Sequence, residues 1–263
     1  MKPDYKNWVP KSMVIGVAAG AALAGILFVL FGVIGIGVSG TLRLVLAILF
    51  GIAFLALCAF STLCILWYRA FSYNGTRQLS RQIIEGIAAY VTLPEGGRGL
   101  DVGCGSGALT IASAKRNPKA VMTGLDRWGK EYACFNKPLC EHNAAAEGVT
   151  NINFVQGDAT KLDFADESFD AVTSNYVYHN ITGADKQALL RETLRVLKKG
   201  GVFAIHDIMS PVRYGDMKNF VKELKSQGYA EVRLIDTTNG LFMSSKEAKL
   251  LALQGSALLV GKK

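Results

Sequence analysis

Between Met13 and Trp67 the chain carries one charged side chain, Arg43. Two apolar runs flank it, Met13–Val38 and Leu44–Trp67, joined through Ser39-Gly40-Thr41. Each exceeds the ~20 residues with which a helix crosses a bilayer core. A cleaved signal peptide fits poorly, because its apolar region is only about 7–15 residues and no second span should follow it. The runs predict a helical hairpin with spans over 13–38 and 44–67. Lys2, Lys6 and Lys11 precede the first span, Arg69, Arg77 and Arg81 follow the second, and the turn offers only Arg43. Positive charge concentrates on cytoplasmic flanks, so both ends of the hairpin are expected in the cytoplasm. Trp8, Trp67 and Tyr68 fall where an interfacial aromatic belt would lie. Neither span holds an ionisable residue at mid-depth, which argues for an anchor rather than a transport path.

Small residues suggest how the spans pack. Gly16-x3-Gly20, continuing to Ala24, and Ala47-x3-Gly51 form stripes along which helix backbones can approach closely. Such stripes serve either contact within one hairpin or a homodimer face.

Composition matters once this segment is set aside. Half of the 263 residues are apolar, and 29 Lys plus Arg against 21 Asp plus Glu give a net charge of +8. Disorder is excluded by the apolar content, and five cysteines are too few, and odd in number, for a disulfide scaffold. Outside the hairpin the charge density is ordinary for a globular protein. Arg69, Arg77 and Arg81 are placed to meet anionic headgroups, making the bilayer a partner. No basic stripe with interleaved aromatics marks a nucleic-acid site.

From Arg77 onward, helical and strand-like segments alternate. Helices are expected over Arg77–Val91, Ala108–Arg116, Lys130–Glu147, Lys186–Leu197 and Met217–Gln227. Strands are expected over Gly99–Val102, Ala120–Leu125, Ile152–Gln156, Ala171–Ser174, Val202–His206, Val232–Ile235 and Ala257–Val260. This alternation predicts an α/β fold, a mostly parallel sheet with helices on both faces. Three parts are expected: the hairpin within 1–67, a juxtamembrane helical linker over 68–93, and an α/β domain over 94–263.

The most informative residues close the first of those strands. Asp101-Val102-Gly103-Cys104-Gly105-Ser106-Gly107 runs from strand through a glycine turn into a helix. Glycines at alternate positions let the backbone turn tightly and let a ligand lie against it. The helix N-terminus behind them suits an anionic group. Asp101 stands where a carboxylate could bind an ammonium group. Asp126 ends the next strand, where a carboxylate can accept both hydroxyls of a ribose. The spacing is G-x-G-x-G after an acid, not the dinucleotide pattern G-x-G-x-x-G.

Here the chain resembles the class I S-adenosylmethionine-dependent methyltransferases, whose fold is a Rossmann-like seven-stranded sheet with an antiparallel last strand. Further stretches carry the resemblance: Gln156-Gly157-Asp158-Ala159, Asp163-Phe164-Ala165-Asp166-Glu167-Ser168-Phe169-Asp170 and Leu194-Arg195-Val196-Leu197-Lys198-Lys199-Gly200-Gly201. It implies that Asp101, Gly103, Cys104, Gly105 and Gly107 hold the methionine part of S-adenosylmethionine. Asp126, with Arg127, would hold the ribose; Trp128, two residues on, reads either as an aromatic cover for the adenine face or as a ring packed elsewhere. Gly157, Asp158 and Ala159 would meet the adenine edge, and Asn175 would complete the cofactor set.

The acceptor side is less specific. Ser174-Asn175-Tyr176-Val177-Tyr178-His179-Asn180-Ile181 is similar to the corresponding stretch of small-molecule methyltransferases like those of quinone biosynthesis. His179 reads either as a general base, titrating near neutrality, or as a residue fixing the loop. Tyr176 is the second catalytic candidate, with sheet packing as its alternative. His206-Asp207 forms another pair at the same rim, with a structural role favoured for His206. Cys134, Cys140 and His142 lack standard zinc spacing, and no metal is implied. Three readings stay open: a membrane-anchored methyltransferase of a small lipophilic molecule, a tethered methyltransferase of a soluble molecule or macromolecule, and a non-catalytic interaction module.

Overall fold

The computed structural model describes residues 1–129 and 134–263. The first four residues of the helix expected over Lys130–Glu147 lie outside the described residues. The chain divides into two compact units, Asn7–Ser80 and Met1–Lys6 together with Arg81–Lys263. The division at Ser80 falls inside the segment expected to be a linker, and the first six residues join the α/β unit.

The smaller unit contains helix α1 (Lys11–Leu27), a wider π-helical stretch (Phe28–Ile34) and helix α2 (Gly40–Ala70). Both helical segments, Lys11–Ile34 and Gly40–Ala70, are long and apolar enough to cross a membrane by length and composition. The first stops earlier than the expected Val38. Gly35 and Gly37 adopt left-handed backbone with φ of 82° and 69°, which ends a helix without a Cβ penalty. Gly40, expected in the turn, is already the first residue of α2. Arg43 then does local work: its Nε donates to Gly32 O at 2.9 Å and its guanidinium also reaches Val33 O. A cation thus covers carbonyls left open at a helix C-terminus.

The small-residue expectation needs correction at one end. A Cβ built on Gly32 would stand 2.9 Å from Ala47, on Gly25 3.0 Å from the Phe54 ring, and on Gly51 3.3 Å from Phe28. Gly16 has nothing within 4 Å and Gly20 only Leu57 at 3.8 Å. Close approach within the hairpin runs through Gly25 and Gly32 with Ala47 and Gly51, because the helices meet nearest their connecting turn.

In the larger unit, helix α3 (Leu79–Ala88) arrives across the division. There follow β1 (Arg98–Val102), α4 (Ala108–Arg116), β2 (Val121–Asp126), α5 (Lys137–Ala146), β3 (Ile152–Gln156) and β4 (Phe169–Asn175). After these come α6 (Lys186–Arg195), β5 (Leu197–Ile208), α7 (Pro211–Tyr214), α8 (Met217–Ser226), β6 (Ala230–Asp236), α9 (Ser245–Leu250) and β7 (Ser256–Lys262). The strands form one sheet in the order β3-β2-β1-β4-β5-β7-β6, parallel except for β7, which runs against both neighbours. This is the Rossmann-like sheet with an antiparallel last strand that the sequence predicts.

Burial explains the strand sequences. Leu100, Val102, Val172, Phe203, Ile205 and Leu259 are almost fully buried, as strands covered on both faces require. Helix α6 ends before the expected Leu197 because that residue pairs with Phe169 and belongs to the sheet. The strand order reverses between β1 and β4, both neighbours of each other. The C-terminal ends of parallel strands flanking such a switch leave a crevice for ligands.

Candidate functional site

At that switch the backbone after β1 turns through three left-handed glycines, Gly103 (φ 74°), Gly105 (φ 56°) and Gly107 (φ 80°). The positions are not equivalent. A side chain on Gly103 would collide with Val177, and one on Gly107 would press on Phe154, whereas nothing stands within 4 Å of a Cβ built on Gly105. Gly103 and Gly107 are glycines for packing; Gly105 is the one that faces open space. Helix α4 begins at Ala108, so its first N–H groups gather behind the loop.

The Gly105 peptide is held from several sides. Its N–H donates to Asp126 Oδ2 at 2.8 Å, while Asp126 Oδ1 accepts the Trp128 N–H at 2.8 Å. Its carbonyl accepts the Trp128 indole Nε1–H at 3.1 Å and the Cys140 thiol at 3.1 Å. Trp128, itself at φ 45°, therefore lies folded onto the loop. Gly103 and Cys104 both donate to Leu125 O, at 2.7 and 3.0 Å, tying the loop to the end of β2. Burial pushes the Cys104 thiol well above its ordinary range, with Cys140 beside it reinforcing the shift. A thiol so held is a packing group, not a nucleophile.

Asp101 is the fourth residue of β1. It is buried, with Oδ2 accepting from Thr110 Oγ1 at 2.6 Å and Oδ1 from Thr173 Oγ1 at 2.9 Å. Burial raises its pKa to about 7 despite those two bonds. With one hydrogen bond on each oxygen, Asp101 braces β1 against α4 and β4.

Along the β2 and β3 ends, Gly157 N–H donates to Asp126 O at 3.0 Å, and Gln156 Nε2 donates to Arg127 O at 3.2 Å. Asp158 is exposed; its Oδ1 accepts from Thr160 N and Oγ1, both at 2.8 Å, which lowers its pKa, with Arg127 contributing. These two bonds leave Oδ2 on the same carboxylate for a ligand donor. Ala159 packs against the hydrophobic core.

The opposite rim is built from side chains on β4, β5 and the turns that follow them. His179 Nδ1 lies 2.5 Å from Asp207 Oδ1, and His179 N–H donates to Asp207 Oδ2 at 3.1 Å. Tyr214 from α7 donates its hydroxyl to Asp207 Oδ2 at 2.8 Å, and Ile208 N–H reaches Oδ1 at 2.7 Å. Burial alone would raise the Asp207 pKa, but the His179, Tyr214 and Ile208 partners hold it below its ordinary value. An ionised acceptor at Nδ1 leaves the proton on that nitrogen and turns Nε2 into the free acceptor of the ring.

Beside this pair, His206 is fully buried and bridges Asn175 Oδ1 and Thr237 Oγ1, at 2.9 Å each. Burial drives its pKa to about 3, so it stays neutral and structural. Asn175, expected among the cofactor residues, is engaged by this histidine. Tyr176 sits at φ 54° with its ring 4.6 Å from His206 and 5.9 Å from His179. Its hydroxyl meets Ser256 Oγ at 2.9 Å, and Ser256 Oγ in turn donates to Leu253 O at 2.7 Å. The Tyr176 hydroxyl is thus the donor to Ser256, and burial pushes its pKa up. The Tyr176 ring lies between the two histidines.

Sequence reasoning missed Tyr214, Thr110, Thr173 and Thr237. Pro211 at the first helical position was the signal for α7, since proline's fixed φ favours that place; the threonines carry no motif. Cys140 and His142, weighed as metal ligands, are used separately: the thiol bonds Gly105 O and the imidazole lies 3.2 Å from Lys2 O.

Residues 100–205 match a family model described as a methyltransferase domain. Demethylmenaquinone methyltransferase of Roseiflexus sp. (strain RS-1) is 33% identical over 140 residues, covering 52% of this chain and 55% of that protein. The enzyme of the same name from Lactobacillus johnsonii is 38% identical over 113 residues, covering 43% and 44%. The chain spans about half the length of the curated relatives it matches. A geranyl diphosphate methyltransferase solved with GPP and sinefungin superimposes with a TM-score of 0.55 at 12% identity, over 74% of this chain and 81% of that one. The [4+2]-cyclase SpnF gives 0.54 at 19%, over 73% and 85%. Those two neighbours, named for different reactions, share the fold alone with this chain.

Proposed function

We infer from the S-adenosylmethionine-dependent methyltransferase domain in this chain that it methylates a small, lipophilic, quinone-type molecule while anchored to a membrane. One observation carries the catalytic part: an open, tethered glycine after the β1 end and a His179–Asp207 pair after the β4 and β5 ends lie at the same, C-terminal end of the parallel strands, on the two rims of one crevice. The cofactor fits the residues present. Gly105 leaves space that any Cβ would fill, the α4 N-terminus lies behind it, and Asp158 keeps an oxygen for the adenine edge. Asp126 keeps acceptor capacity beyond its two N–H bonds for ribose hydroxyls.

Bound there, S-adenosylmethionine supplies a methyl group on a positively charged sulfur. The chain's own share is alignment and proton handling. Tethering Gly105 fixes the floor under the cofactor. Asp207 holds His179 with Nδ1–H toward itself, so that Nε2 takes the proton released by the acceptor. The resemblance to demethylmenaquinone methyltransferases supports a quinone-type ring in its reduced, hydroxylated form as that acceptor. That form has an electron-rich atom to take the methyl group and a proton to lose.

The anchor rests on the two long apolar helices and their flanking charges. The chain leaves the α/β unit after Lys6 and re-enters it at Arg81. Two crossings return it to the same side, and the Lys and Arg flanks favour the cytoplasmic one. Tethering confines the search for a bilayer-dissolved substrate to the membrane surface. The test supplies methyl-labelled S-adenosylmethionine to membranes containing the protein and separates the products by solvent extraction. Label in an organic-phase compound with a quinone chromophore is expected. Label confined to the aqueous or macromolecular fraction overturns the acceptor assignment, and release of the protein by alkaline washing overturns the anchor.

A further inference from the structure

The first residues of the chain end up on the cofactor loop's support. Asn143, on α5 and fully buried, pairs with both backbone groups of Asp4: its Oδ1 accepts the Asp4 N–H at 2.7 Å and its Nδ2 donates to Asp4 O at 3.0 Å. The second Nδ2 hydrogen goes to Ser106 O at 3.0 Å, inside the glycine turn. One side-chain amide thus stitches residues 139 positions apart and passes the contact on to the loop. The rest of the segment is fastened to the same helix. Tyr5 is buried with its hydroxyl donating to Glu147 Oε1 at 3.2 Å, and Lys2 O lies 3.2 Å from His142 Nε2. Glu147 is held in turn by Lys115 of α4.

We propose that residues 2–5 are a strap that belongs to the cofactor site, and that Asn143 is the positioning residue through which the strap fixes the Gly103–Gly107 turn for S-adenosylmethionine. The physical reason is saturation. With Asp4 in place, both Asn143 hydrogens are spoken for and the amide has one orientation. Without it, a buried amide is left with an unmet donor and acceptor, a state that costs more than the bond itself is worth. The amide then turns away or admits water, and the Ser106 carbonyl loses its fixed partner. The adjacent Gly105 peptide is the open floor of the cradle, so the loss is felt as cofactor affinity and not as chemistry. This inference rests on the reading of the glycine turn as the cofactor site.

The test compares two substitutions at one position in the full-length, membrane-embedded protein. Asp4→Pro removes the backbone N–H that Asn143 accepts; Asp4→Ala keeps it and removes an exposed carboxylate whose hydrogen bonds go to Lys6, outside the strap. S-adenosylmethionine Kd is measured by calorimetry, and amide hydrogen exchange is followed in the turn and in β5. Asp4→Ala should bind like the parent. Asp4→Pro should bind about five- to tenfold more weakly, the order expected for one hydrogen bond. Its turn amides should exchange faster while those of β5 stay protected, which shows that the domain is folded. Equal affinity and equal turn exchange in the two variants overturn the strap, as does equal weakening in both. A parent protein that binds no S-adenosylmethionine overturns the cofactor reading instead, and the exchange comparison still decides whether the strap orders the turn.

Discussion

The two rims of the crevice are made from different materials. On the β1–β2 side the surface is backbone: three left-handed glycines, a helix N-terminus and a peptide tethered through Asp126, Trp128 and Cys140. On the β4–β5 side it is side chains: His179, Asp207 and Tyr214 in one network, His206, Asn175 and Thr237 in another. A backbone surface suits a ligand of fixed shape, since its geometry follows from φ and ψ. A side-chain surface can be exchanged residue by residue, which suits a position where acceptors differ.

The comparison breaks most visibly at His179. Replacing it with alanine should lower kcat by about a thousandfold, within the ~10²–10⁴ range of general acid–base catalysis, and leave cofactor Kd unchanged. A kcat within threefold of the parent would make the histidine a loop-fixing residue. On the other rim, Asp126→Ala removes the acceptor of two N–H groups. Hydrogen bonds to a charged group contribute roughly 1.5–3 kcal/mol each, so S-adenosylmethionine Kd should rise by about a hundredfold or more. Unchanged affinity in a folded, membrane-bound variant would displace the ribose from this carboxylate. Tyr214→Phe takes one of several donors from Asp207 and should reduce kcat by about fivefold with KM unchanged; a change in KM alone would place α7 in acceptor binding.

The smallest effect is a pH slope beneath the cofactor rim. The Asp101 pKa is raised from 3.8 to about 7 by burial, so the folded state holds a proton that the unfolded chain has already lost. Stability should therefore fall as pH rises between those values, with the loss complete above the higher one. Asp101→Asn should flatten this part of the thermal midpoint against pH profile. A parallel slope in the variant would assign the dependence to another group.

The difference in materials also decides what could be seen in the sequence. Glycines at the alternate positions 103, 105 and 107 after a strand announce a tight turn, and Asp126 a strand end, so the backbone of this rim was legible. The mostly parallel sheet followed from strand–helix alternation, and its antiparallel last strand from the resemblance. At Asp101 the motif shows which residue is present but not that Thr110 and Thr173 each donate to one of its oxygens. Tyr214 was not visible for a similar reason: the hydroxyl that reaches Asp207 comes from a four-residue helix without periodicity to betray it. In the hairpin, Arg43 was visible as an orientation signal, yet its capping of Gly32 and Val33 depends on where the first helix stops.

The strap alters how the whole chain should be cut. Because residues 1–6 belong with 81–263, the apolar hairpin is an insertion into the α/β domain rather than an extension at its front. Truncating the chain anywhere up to Ser80 discards a folded part of that domain along with the grease. Excising residues 7–78, which spares α3, and closing the gap with a hydrophilic linker keeps it, and is the route by which a water-soluble protein with an intact glycine turn should be obtained.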